Sequence, residues 1–142
     1  DNTLEAPATI KPEEGIFLEF APFYRRWDKP LREAEAVRDG QTLTHGRYME
    51  VLKENLAVFP VETAQVLEYW CDVSLVSGWS KPAKKLPWHK DVFLQDIDTY
   101  ADLGIRHITA YAMYTDGEYY EMYGDVSFVE DYGNGLFRYR KE

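Results

Sequence analysis

Three short apolar runs alternate with two stretches of helical periodicity, and that alternation narrows the possible folds more than any other feature of the chain. The runs are Ile16 to Pro22 (IFLEFAP), Val66 to Ser74 (VLEYWCDVS) and Ile108 to Tyr114 (ITAYAMY). Each is short, rich in aromatic or β-branched residues and bounded by turn formers, as strands are. Between the first two, Tyr48, Val51, Leu52, Leu56 and Phe59 recur at the spacing of one helix face. This predicts a helix over 46–58, with Thr44 as its N-cap and Pro60 as its stop. Between the second and third, Phe93, Ile97, Tyr100 and Ala101 predict a helix over 90–103, with Gly104 just past its end. Strands joined through helices pair in parallel with right-handed crossovers. The expected fold is therefore α/β, built of parallel βαβαβ units, with both helices on one face of the sheet.

The remaining segments are less regular. Residues 1–15 carry Pro7 and Pro12 and read as an extended lead-in that turns at Gly15. Segment 23–44 reads as a short amphipathic turn or helix opened by Pro30 and closed by Gly40. Two short helical pieces are expected around 119–123 and 127–132, with Gly133-Asn134-Gly135 as a turn. The loops leaving strands are long and those entering strands are short, which places any site at the strand C-terminal ends.

Composition bears on partners. Asp and Glu exceed Lys and Arg by 25 to 16, a formal charge of -9, and such a field repels phosphate backbones, so nucleic acid is not expected as a partner. No apolar stretch is long enough for a membrane helix, and none at the start has the pattern of a signal peptide. Cys71 is the single cysteine, so no intrachain disulfide can form. His45, His89 and His107 are scattered without ligand spacing, and no phosphate loop, dinucleotide fingerprint or nucleophile elbow occurs. Neither a metal nor a cofactor is expected. Cys71, inside an apolar run, is expected to be inert packing.

Two signals point to chemistry. Two-residue alternation along the second strand puts Glu68, Trp70, Asp72 and Ser74 on one face and Leu67, Tyr69, Cys71 and Val73 on the other, the second set facing the helices. Asp72 then stands at the strand's C-terminal end, and Asp116 follows the third strand at the matching end. Adjacent strands would bring such carboxylates within the ~5–9 Å used by paired acids in glycoside hydrolysis. Asp72, Asp116 and Glu118 are the candidate catalytic acids. The alternative is that Asp72 and Asp116 cap turns or pair with Arg25, Arg26 or Arg106. The second signal is aromatic: Phe23, Tyr24 and Trp27 in the first long loop, Trp79 and Trp88 in the second, and Tyr114, Tyr119 and Tyr120 after the third strand. Aromatic rings stack on the C–H faces of sugars while charged side chains bond the hydroxyls. Tyr24, Arg25, Trp27, Trp70, Trp79 and Tyr114 are the candidate ligand-binding residues, against the alternative that these rings merely cover a small core. Lys81, Lys84 and Lys85 form either a solvated loop or a rim for acidic sugars.

The runs IKPEEGIFLEFAPFYR, VLEYWCDVS and DIDTYADLGIRHITAY together resemble the later part of an uncharacterised bacterial domain family found in large carbohydrate-active proteins. The resemblance spans roughly residues 5–124; the chain departs from the family's pattern at Glu19 and Tyr24. It implies a glycoside-hydrolase-like (β/α)8 barrel of which this chain holds the last three strands, the C-terminal portion. It also implies a poly- or oligosaccharide ligand and a secreted or periplasmic setting. A closed barrel needs eight units in roughly 250 residues. The chain, which opens at Asp1 without Met, is thus expected to be an excised or processed single α/β segment. Its expected partners are the saccharide and either the remainder of its own barrel or a second copy. The alternative is a non-catalytic carbohydrate-binding module or a protein-interaction scaffold.

Overall fold

The computed structural model describes residues 3–139, so Asp1 and Asn2 of the lead-in lie outside the described residues. It shows a mixed α/β fold: a three-stranded parallel sheet with five helices. The strands are β1 (Glu19–Phe20), β2 (Gln65–Glu68) and β3 (His107–Ala110), in the spatial order β1-β2-β3. The helices are α1 (His45–Leu56), α2 (Val73–Val76), α3 (Lys90–Asp102), α4 (Gly117–Tyr123) and α5 (Ser127–Tyr139). Register pairs Phe20 with Val66 and Val66 with Ile108, both in parallel.

Local sequence explains where the long helices start and stop. Thr44 caps α1 by accepting from the Arg47 N–H at 3.2 Å. Gly104, at φ 84°, ends the turn after α3 in a conformation a side chain would resist. The buried side chains of α1 are led by Tyr48, Val51 and Leu52, and those of α3 by Phe93, Ile97 and Tyr100. Phe20 of β1 meets Tyr48 edge-on at 6.3 Å and Tyr100 at 6.4 Å, so α1 and α3 cover the same face of the sheet. Tyr132 of α5 lies 5.7 Å from Phe93, which sets α5 alongside α3.

The structure corrects the expected bounds. The first strand covers 19–20 rather than 16–22, the second 65–68 rather than 66–74, and the third 107–110 rather than 108–114. Residues 69–72 leave the sheet in a turn and α2 begins at Val73, because Asp72 offers its carboxylate to the Ser74 N–H as a helix cap. Segment 23–44 forms no helix; it is a series of turns pinned by a bridge between Val37 and Thr44. The expected face assignment is also reversed. Val66 and Glu68 are buried under the helices, whereas Leu67 is part-exposed on the other side. Hydrophobicity misled here because Glu68 is a core residue through its partners, described below.

Gly133-Asn134-Gly135 is not a turn; α5 runs straight through it. Gly135 is there for close approach: a Cβ on it would stand 2.6 Å from the Phe93 ring, which is fully buried. Gly135→Ala is therefore expected to destabilise the chain by about 1–2 kcal/mol, although alanine is the better helix former by about 1 kcal/mol. Thermal or urea unfolding of the variant checks this, and a gain in stability would show that α5 can move away from α3.

Candidate functional site

The first loop carries a buried polar network. Arg25 is fully buried, and its guanidinium donates from Nε to Glu68 Oε2 at 3.2 Å and from Nη2 to Asp96 Oδ2 at 2.5 Å. Its Nη1 reaches the carbonyls of Arg26 and Lys29. Asp96, on α3, also accepts from the Leu31 N–H at 2.8 Å and from Trp70 Nε1 at 3.0 Å. Glu68, on β2, takes the Tyr100 hydroxyl at 2.5 Å. One cation thus faces two carboxylates, all three fully buried. Burial opposes the charge of Arg25, but Glu68 and Asp96 raise its pKa. Burial pushes the Glu68 carboxyl up to about 7 against the pull of Arg25, and neighbouring Asp96 adds to the rise. Burial likewise raises the Tyr100 hydroxyl well above its ordinary value.

A second bond set fixes the same loop. The Arg26 N–H donates to His45 Nε2 at 3.0 Å, which leaves Nδ1 as the protonated nitrogen donating to the Pro30 carbonyl at 2.9 Å. Burial lowers the His45 pKa, in keeping with a neutral ring. The Tyr24 N–H donates to the Tyr48 hydroxyl at 3.2 Å. Loop 23–31 is therefore held from below by α1, β2 and α3.

Above this foundation, beyond the C-terminal end of β2, opens a cleft of about 380 Å³, a size suited to a small ligand. Its aromatic lining is Trp27, Tyr69, Trp70 and Trp88. Its charged lining is Arg26, Asp28, Arg38, Asp39, Asp72 and His89, and Leu75, Val76, Leu86 and Pro87 supply apolar floor. Arg26 and Asp28 form a two-point pair at 2.7 and 3.0 Å, and the hydrogen bond from Arg26 leads in holding the Asp28 carboxyl below its ordinary range. The Arg38 guanidinium lies over the Trp27 ring, 4.4 Å from its centroid. Trp70 and Trp88 point their N–H groups away to Asp96 and Asp131, whereas the buried Trp27 Nε1 has no acceptor among the described residues.

The expected site residues divide. Trp27, Trp70 and Asp72 line the cleft. Arg25 does not: with no exposed surface, it positions the loop and Trp70 instead of facing a ligand. Tyr24 packs edge-on against Phe23 at 4.9 Å, outside the lining. Trp79 is 58% exposed, stacks on Phe23 at 6.4 Å and stands at φ 55°, where its N–H closes the end of α2 on the Ser74 carbonyl. Tyr114, at φ 65°, lies under the Lys81 ammonium. Asp116 and Glu118 both bind Lys81, at 2.7 and 2.8 Å, and Asp116 also caps α4. The cleft lining contains neither. Asp72 caps α2 through one oxygen: Oδ1 accepts from the Ser74 N–H at 3.0 Å and from its hydroxyl at 2.6 Å. The capping alternative thus describes both Asp72 and Asp116, with Lys81 in place of an arginine. Cys71 is buried, and burial pushes its thiol up to about 12.

Sequence reasoning missed Arg26, Asp28, Arg38, Asp39, Tyr69 and His89 as lining, and Glu68 and Asp96 as the foundation. The available signal was the run RRWD, in which alternate charges flank a tryptophan within an outgoing loop. Rings continue from the cleft across the strand ends: Tyr69 is 6.4 Å from Trp27 and stacks on Tyr111 at 5.5 Å and 6°. No three His, Cys, Asp or Glu among the described residues group as a metal site. Comparison with protein-family models, curated proteins and solved structures returns no match.

Proposed function

We propose that this chain binds a saccharide in the cleft at the strand C-terminal ends, as part of a glycosidase-like α/β barrel. The observation that carries the reading is the lining itself: four aromatic rings interleaved with charged groups around a volume that fits one or two sugar rings. The barrel reading draws on three consecutive parallel strands with α1 and α3 on one face, while Glu19, His107 and Thr109 are exposed on the other. Within the described residues β1 and β3 each pair on one side only, which leaves both edges to the remainder of a barrel or to a second copy. A saccharide ligand accords with the secreted or periplasmic setting that the sequence resemblance implies.

The reading is binding rather than hydrolysis. Paired acids need one free carboxylate on each side of the scissile bond. Here Asp116 and Glu118 share Lys81 outside the cleft and Asp72 serves as a cap.

Titration calorimetry with a panel of neutral and acidic oligosaccharides tests the proposal. At least one member is expected to bind, and Trp27→Ala to weaken it by about 1–3 kcal/mol, the range for an aromatic anchor. Trp79→Ala, outside the lining, is expected to leave affinity within about twofold, less than the ~1.4 kcal/mol of a tenfold change. Binding by none of the panel, or equal loss from both variants, would contradict the reading.

A further inference from the structure

We infer that the saccharide carries a carboxylate and that Arg38 receives it; this rests on the cleft reading above. Of the two guanidinium groups, Arg26 is already held at two points by Asp28. Arg38 has no carboxylate within ion-pair distance among the described residues. It is nonetheless half-buried, with its guanidinium carbon 4.4 Å from the centre of the Trp27 ring. A guanidinium over a ring face and without an ion-pair partner keeps N–H donors for a carboxylate, which it matches bidentately.

The acids do not compete on equal terms. Asp28 is engaged by Arg26, and Asp72 is buried and engaged by Ser74. Asp39 is exposed at a turn, where the Gln41 N–H closes on the Arg38 carbonyl and Gly40 takes φ 76°. The backbone fixes Arg38 independently of any ligand. The Val37–Thr44 bridge and the bond from the His45 N–H to the Ala36 carbonyl tie the neighbouring backbone to the start of α1. Asp39, turned out to solvent, is the other charge of the lining without an ion pair or side-chain hydrogen bond among the described residues; the half-buried one is a preorganised cation beside an indole face, the combination that reads a uronic acid: ring on ring, carboxylate on guanidinium.

The test compares trigalacturonate, its fully methyl-esterified form and an uncharged trisaccharide of the same ring size, by calorimetry on the full chain at two salt concentrations. The acid trimer is expected to bind at least tenfold more tightly than its ester, and the advantage is expected to shrink at high salt. Arg38→Met is expected to lower the acid trimer's affinity to that of the ester, and Arg38→Lys to recover only part of it. Circular dichroism and unfolding of both variants confirm the fold. Equal binding of acid and ester, or an acid preference that survives Arg38→Met, would overturn this inference and leave the saccharide reading standing. Binding of no saccharide by a folded chain would overturn both.

Discussion

Replacing Arg25 with methionine is expected to cost about 3–5 kcal/mol, enough to unfold a marginal domain of this size. The side chain's volume is nearly kept, so the loss is electrostatic. Without the guanidinium, Glu68 and Asp96 stay buried side by side with no cation between them. Removing one member of a buried ionic set is far worse than never having had the set, because desolvation is borne by the partner left behind. The damage should follow the bonds. Asp96 would still accept from Trp70 and Leu31, but loop 23–31 would lose its anchors to the Arg26 and Lys29 carbonyls. Urea unfolding at pH 7 measures the effect, and Arg25→Met combined with Glu68→Gln is expected to recover part of it. A loss below about 1 kcal/mol would place the variant among ordinary surface changes and contradict the buried network.

The second large effect is a dependence on pH. Glu68 ionises near 7 when folded, against an ordinary value of 4.5. The folded state therefore holds a proton that the unfolded chain has released between those values. Stability from this group is full below about pH 4.5 and is lost as pH rises through about 7, by on the order of 3 kcal/mol. His45 works in the opposite sense, since its lowered pKa makes the fold weaker as pH falls below about 6.5. Comparing the chain with Glu68→Gln cancels the histidine. The glutamine variant is expected to gain on the parent steadily from pH 4.5 to 7.5, in parallel denaturant titrations. A constant difference across that range would mean that Glu68 keeps an ordinary carboxylate pKa.

Periodicity made the long helices legible: α1 and α3 fall within two residues of their expected bounds because each carries one apolar stripe and a capping signal. The parallel sheet followed from helices lying between strands. Strand lengths were not legible, because apolar runs continue past the last ladder bond into turns; residues 69–72 are as hydrophobic as a strand and are not one. The same continuation displaced the face assignment, and with it the expected setting of Asp72. Glu68 and Asp96 were hidden for a different reason. A charged residue reads as surface in a sequence, and only the arrival of Arg25 from a loop 43 residues earlier makes its burial tolerable. For the cleft, tryptophans in outgoing loops were the right signal, but which of them share a wall depends on loop paths. Trp27 and Trp88 come together across the end of β2, whereas Trp79 turns out at the end of α2 onto Phe23.

The four tryptophans make a direct reporter of the central claim that the cleft is the ligand site. Each has an indole N–H in a distinct setting: Trp70 bonded to Asp96, Trp88 to Asp131, Trp27 buried without an acceptor, and Trp79 on an exposed ring. Their resonances in a nitrogen-15 correlation spectrum are assigned by single substitution to phenylalanine and followed during titration with trigalacturonate. The account predicts that the Trp27 and Trp88 signals shift together and saturate with one dissociation constant while Trp79 stays in place. Movement of Trp79 alone, or of no indole at concentrations where calorimetry detects binding, would contradict it.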